Sequence, residues 1–176
     1  MFNKPRLLTP GPTPLPERVR LALAQDMIHH RKPGFKKILL ETETMLQKLF
    51  GTEQPVLPLS CSGTGAMTAA VHGLFLPGET VIVVNGGKFG ERWSKIAAVR
   101  GLKVVEIDVA WGQAVTPAQV EQALREHPEA KGVFMQVCET STAAQHPVEA
   151  IARLTRTREV LLVADGISAV GIRSEE

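Results

Sequence analysis

Four short runs rich in β-branched and aliphatic residues recur along the chain: TVIVVN (80–85), LKVVEIDV (102–109), KGVFMQV (131–137) and EVLLVAD (159–165). Runs of this length and composition suit buried strands. Helical segments stand between them, and strands alternating with helices indicate an α/β fold with a mostly parallel sheet and flanking helices. A fifth apolar run, VLPLS (56–60), is expected to be another strand, leading through CSGTG into a small-residue helix, AMTAAVHGLFL (66–76).

The remaining helices follow from periodicity and punctuation. Apolar residues at helical spacing predict helices over 17–27 and 34–50, with Gly51 stopping the second. GGKFG (86–90) leads into a helix over 91–99, which Gly101 closes. Thr116 caps a helix beginning at Pro117, because proline is favoured at the first helical position. A further helix is expected over 147–157. Residues 9–16, TPGPTPLP, hold four prolines and one glycine and suit an extended arm. The segment GISAVGIRSEE (166–176) resembles the start of a loop and further structure.

Composition narrows the function. With 20 Lys+Arg against 18 Asp+Glu the formal charge is +2 and there is no basic run, which argues against nucleic acid as the main partner. Two cysteines, Cys61 and Cys138, cannot build a disulfide framework and fit reduced thiols. The first ten residues hold no apolar stretch of signal-peptide length, and no run approaches the roughly 20 apolar residues that cross a bilayer. A soluble cytoplasmic chain without a membrane partner is expected. No His, Cys or carboxylate cluster has metal-ligand spacing.

Ligands of parallel α/β sheets gather beyond the carboxyl ends of the strands. Four polar clusters fall there, each after a different apolar run: Ser62–Gly65, Gly86–Gly90, Glu139–Thr142 and Asp165–Ser168. SGTG places small residues at a helix N-terminus, where free N–H groups can hold a phosphate; a tight turn is the alternative. The spacing is not G-x-G-x-x-G, and Asn85 rather than an acid ends the following strand, which disfavours a nicotinamide dinucleotide. Asp165 can meet a ligand cation or a metal, or cap the next turn. Glu139 can act as an acid or base or be a solvated loop carboxylate. Thr140, Ser141 and Thr142 can bind an anion or stabilise their own turn. Phe89, between glycines, is either core or a face for a planar ligand.

LLTPGPTPLPERV, MIHHRKPGF, SGTGAMTAAV, NGGKFGERW, ETST and VADGISAVG, in this order and spacing, resemble the class V aminotransferases, pyridoxal-phosphate enzymes of the alanine–glyoxylate and serine–pyruvate type. The resemblance covers essentially the whole chain and implies the large domain of the aspartate-aminotransferase-like fold: an arm over 1–16 and part of the cofactor-binding domain over 17–176. It implies that Ser62, Gly63 and Thr64 hold the cofactor phosphate, Phe89 stacks on one ring face and Ile167 packs on the other. Asp165 would pair with the ring nitrogen, Thr140 would sit near cofactor and substrate, and Gly11 would border the substrate carboxylate. Relatives commonly read E-T-S-T-G where this chain has Ala143, so a need for positive φ would strain the alanine.

In the family the Schiff-base lysine follows the D-x-x-S-A motif, and the chain stops at Glu176 before reaching it. The expectation is an N-terminal portion that is inactive alone and associates as a homodimer or with a C-terminal half. An exposed edge at 159–165, with poorly protected amides, follows from the same resemblance. Two alternatives remain: a pyridoxal-phosphate lyase or desulfurase, and a non-catalytic module that binds a phosphorylated ligand or a partner.

Overall fold

The computed structural model describes residues 7–171. The expectations for 172–176, and the part of the leader reading that rests on 1–6, lie outside the described residues. Six helices and six strands form among them: α1 (Glu17–Leu23), α2 (Pro33–Phe50), α3 (Gly63–Leu74), β1 (Thr80–Asn85), α4 (Lys88–Arg100), β2 (Lys103–Asp108), α5 (Pro117–Glu126), β3 (Gly132–Gln136), β4 (Cys138–Glu139), β5 (Ala144–Gln145), α6 (Val148–Arg156) and β6 (Leu161–Asp165). The chain divides into two units, Met1–Pro58 and Leu59–Glu176.

In the second unit β1, β2, β3 and β6 form a parallel sheet in the order β2-β1-β3-β6. The sheet sorts its side chains by strand alternation. Val81, Val83, Phe134 and Val163 face α3 and α4, packing with Met67, Val71, Phe75, Trp93 and Ala97. Ile82, Val84, Val133, Met135 and Leu162 face α5 and α6, packing with Val120, Leu124 and Ile151. β1 and β3 are buried on both faces, which is why they read as unbroken apolar runs. Each fully buried aliphatic side chain contributes about 1.5–3 kcal/mol. Gly132 begins β3 because a Cβ there would lie 2.6 Å from the Phe75 ring.

Several local signals act as read. Thr116 and Gln119 form a reciprocal capping box with Pro117 at the first helical position. Gly101 closes α4 at a φ of 83°, where glycine avoids the steric cost of the left-handed region.

Other boundaries differ. VLPLS (56–60) forms no strand: Pro58 cannot donate to a ladder, and no strand partners the segment among the described residues. SGTG is not a turn before a helix but the cap and first turn of α3, and α4 begins at Lys88 rather than 91. The β4–β5 pair, unforeseen in the sequence, joins Glu139 to Ala144.

In the first unit the proline-rich residues 9–16 form no helix or strand, as expected. α1 ends at Leu23, short of 27, and His29 and His30 stand outside any helix with their rings stacked at 4.9 Å. α2 ends at Gly51 with a φ of 59°.

β6 lies at the sheet edge, with Leu161 and Ala164 exposed. Leu161 donates its N–H to Lys131 and Val137 donates to Asp165, so the alternation of a parallel ladder turns the Leu162 and Ala164 amides outward. The poor protection expected for the whole run therefore narrows to alternate residues. Hydrogen exchange of the chain as a dilute monomer is expected to be fast at Leu162 and Ala164 and slow at Val163. Uniformly slow exchange through β6 would show that its outer edge is covered.

Candidate active site

The four polar clusters are physically joined at the carboxyl edge of the sheet. α3 opens at Gly63 after Ser62, whose Oγ accepts the Gly65 N–H at 3.4 Å. The N–H groups of the first turn, those of Gly63 and Thr64 among them, have no acceptor within the helix, so they can meet an anion. From α4, Arg92 Nη1 donates to Thr64 Oγ1 at 3.0 Å, and the Arg92 guanidinium carbon lies 4.8 Å from the centre of the Phe89 ring. α3 and α4 are thus linked where the first and second clusters lie.

The start of α4 is held by the third cluster. Its cap residue, Gly87, has no side chain to receive the first N–H groups. Ser141 Oγ accepts from Lys88 N–H at 3.0 Å, and the Glu139 carboxylate accepts from Phe89 at 3.4 Å and Gly90 at 3.1 Å. Ser141 also donates to Glu139 through its own N–H and hydroxyl. Glu139 is fully buried. The reading of Glu139 as a solvated loop group does not hold: its carboxylate is buried and accepts the hydrogen bonds that hold the start of α4. The approach requires glycine at 87, since a Cβ would lie 2.5 Å from Ser141 Oγ and 2.6 Å from Glu139 Cγ. Phe89 is half-buried in the first turn of α4, not in a glycine loop.

The fourth cluster joins through Thr140, whose Oγ1 lies 2.5 Å from Ser168 Oγ. Asp165 ends β6 and Oδ1 accepts the Ile167 N–H at 3.0 Å, which caps its own turn. The turn-capping reading therefore holds for one oxygen, and no hydrogen bond engages Asp165 Oδ2 among the described residues. By alternation from Val163, Asp165 faces the α3–α4 side. Ile167 is 71% exposed, free to cover a ligand and unused by the core. Gly11 belongs to the first unit, in an exposed bend before α1.

Sequence reasoning missed two groups. Gln136 ends β3 in register with Asp165 and on the same sheet face as Phe134. Its side chain is buried, and neither amide atom has a hydrogen-bond partner among the described residues. The signal was one polar residue at the end of an apolar strand. Arg92 was legible only as the i+3 neighbour of Phe89. His146, also buried, accepts the Val115 N–H on Nδ1 at 3.1 Å. Burial pushes its pKa below the usual imidazole value, against a smaller upward pull from Glu139.

Ala143 adopts a φ of 58° in the turn between β4 and β5. The strain anticipated for alanine in place of the relatives' glycine is therefore present. A left-handed alanine costs roughly 1–2 kcal/mol, partly offset by the lower entropy of its unfolded chain. Ala143→Gly is expected to raise stability by about 0.5–1 kcal/mol in urea unfolding. A loss of stability would show that the turn is held by contacts of the alanine methyl.

The class V aminotransferase family model matches residues 10–174. The chain belongs to that family, whose members depend on pyridoxal phosphate. An "Uncharacterized aminotransferase" of Helicobacter pylori strain J99 is 40% identical over 175 residues, covering 97% of this chain and 46% of that protein. The aspartate aminotransferase of subgroup IV from Thermus thermophilus is 37% identical with a TM-score of 0.87, covering 94% of this chain and 47% of its own. Alanine–glyoxylate aminotransferase from Nostoc sp. is 30% identical with a TM-score of 0.90, over 93% and 44%. The chain thus spans less than half the length of these relatives.

The second unit fits the family's cofactor on its own geometry. The α3 N-terminus offers donors with open space at Gly63, where a Cβ would meet nothing within 4 Å. At the ends of neighbouring strands, Asp165 keeps one oxygen unengaged and Gln136 keeps an unpartnered amide on the same face. Among the described residues, no helix is long and apolar enough to cross a membrane.

Proposed function

We propose that this chain is the N-terminal portion of a pyridoxal-phosphate aminotransferase. The intact enzyme moves an amino group from an amino acid of the alanine or serine type to a 2-oxo acid of the glyoxylate or pyruvate type. The observation that carries this reading is the hydrogen-bonded junction of four loops at one sheet edge, with the Asp165 carboxylate available beside it.

When bound, the cofactor supplies an electron sink for the charge left as the substrate α-proton departs. The chain's own residues hold and tune it. Gly63 and Thr64 N–H groups, with the Ser62 hydroxyl, grip the phosphate at the positive end of α3. The Asp165 carboxylate would pair with the ring nitrogen and keep a proton there, because an adjacent negative charge favours the protonated cation. Phe89 would cover one ring face, Ile167 the other, and the Thr140 hydroxyl would lie beside the ring. The enzyme is cytoplasmic and works as a homodimer.

The test is amino transfer by the pyridoxal-phosphate-loaded intact protein, with alanine and serine as donors and glyoxylate and pyruvate as acceptors. Formation of the paired oxo and amino acids supports the reading. Elimination or desulfuration products without amino transfer would overturn it.

A further inference from the structure

We infer that Arg92 is a positioning residue of the phosphate site, setting the Thr64 hydroxyl to donate to a phosphate ester while backing the Phe89 ring. The inference rests on the reading of the α3 N-terminus as the phosphate grip. Its own basis is a pair of contacts made by Arg92, one across to α3 at 3.0 Å from Nη1 to Thr64 Oγ1 and one within α4 at 4.8 Å from the guanidinium carbon to the Phe89 ring centre.

The chemistry follows from what each group can give. A guanidinium has five donors and no acceptor, so in this contact Thr64 Oγ1 accepts. The Thr64 hydroxyl hydrogen is then left over, and no acceptor takes it among the described residues. It is available to an anion at the same helix end where the Thr64 and Gly63 N–H groups are unengaged. Without Arg92, the hydroxyl would rotate freely between donor and acceptor roles.

Arg92 is also a cation without a carboxylate. Glu91, its neighbour in sequence, pairs instead with Lys88 and Lys95, and no ion pair engages Arg92 among the described residues. An uncompensated guanidinium beside the first turn of α3 adds to the positive end of that helix and favours a dianionic ligand. Its cation–π contact with Phe89 on α4 and its hydrogen bond to Thr64 on α3 meet in one side chain, which couples the two ligand-holding elements. A lysine at this position could supply charge but neither the planar guanidinium nor the fixed fork.

The experiment compares pyridoxamine 5′-phosphate with pyridoxamine, which differ only in the phosphate and carry no aldehyde to react with surface lysines. Binding of each to the 176-residue chain is measured by calorimetry for the wild type, Arg92→Met, Arg92→Gln, Arg92→Lys and Thr64→Val. Thermal unfolding of the ligand-free variants reports folding separately. The wild type is expected to prefer the phosphorylated ligand. Arg92→Met and Arg92→Gln are expected to lose about tenfold of that preference while their pyridoxamine affinity changes little. Arg92→Lys recovers part of it. The Arg92→Met and Thr64→Val effects are expected to be non-additive, since one acts through the other.

A wild-type chain that prefers the phosphorylated ligand, with Arg92 variants that keep this preference, would overturn the inference and leave the phosphate grip standing. Additive effects of Arg92→Met and Thr64→Val would do the same. A wild-type chain that binds both ligands equally, or neither, would overturn the phosphate reading of α3 and this inference with it.

Discussion

Glu139→Ala is expected to cost about 3–5 kcal/mol of stability, the largest effect of any single polar substitution here. The side chain is fully buried and accepts the N–H groups of Phe89, Gly90 and Ser141 together with the Ser141 hydroxyl. Truncation removes these acceptors and leaves a cavity. Gly87 offers no side chain as a substitute, so the first turn of α4 would lose much of its anchorage to the sheet edge. Glu139→Gln retains the volume and one acceptor oxygen but turns an NH2 group towards donors, and about 2 kcal/mol is expected. Urea unfolding measures both. A loss below about 1 kcal/mol for the alanine variant would show that water or a rearranged Ser141 satisfies α4 equally well.

Asp165→Ala, introduced into the intact enzyme, is expected to lower kcat by about 10²–10³ while leaving the phosphate contacts in place. Asp165 is attached to its own turn by one oxygen only. The other is the group assigned to the ring nitrogen. Removing it takes away a preorganised charge at the point where positive charge must be held on the ring during α-proton loss. Asp165→Asn keeps the turn's acceptor and should separate the two roles: a stable fold with a large fall in kcat. The loss is expected in kcat more than in cofactor retention, because the phosphate grip lies on a different element. Near-wild-type kcat in either variant would show that the residue serves only to cap its turn.

Legibility differed from element to element. β1 was readable to the residue over Thr80–Asn85, because a central strand buried on both faces leaves an unbroken apolar run. The start of α5 was equally readable, since Thr116 and Pro117 carry their own boundary chemistry. Three of the site clusters could be found because each follows a strand, and parallel strands bring their carboxyl ends to one edge; the first, Ser62–Gly65, follows no strand and opens α3. Where VLPLS was taken as a strand, local composition misled, because a strand exists only when another segment pairs with it.

The start of α4 was not legible for a related reason. No residue near Gly87 signals a helix there; the acceptors that make Lys88–Gly90 helical are Glu139 and Ser141, some 50 residues later, which the β3–β4 turn delivers. Gln136 and Arg92 were invisible in the same way: a polar residue at a strand end and an arginine on a helix are ordinary until their neighbours are known.

The sequence by itself determined the α/β alternation, the strand-end clusters, the α5 cap and the family. These depend on periodicity and on residues within a few positions of one another. Only the tertiary structure decided that Glu139 anchors a helix, that Asp165 keeps one oxygen unengaged, and that Arg92 bridges Thr64 and Phe89. The physical reason is that a donor's acceptor, and a carboxylate's burial, are set by whatever the fold brings alongside, across separations that local pattern does not record.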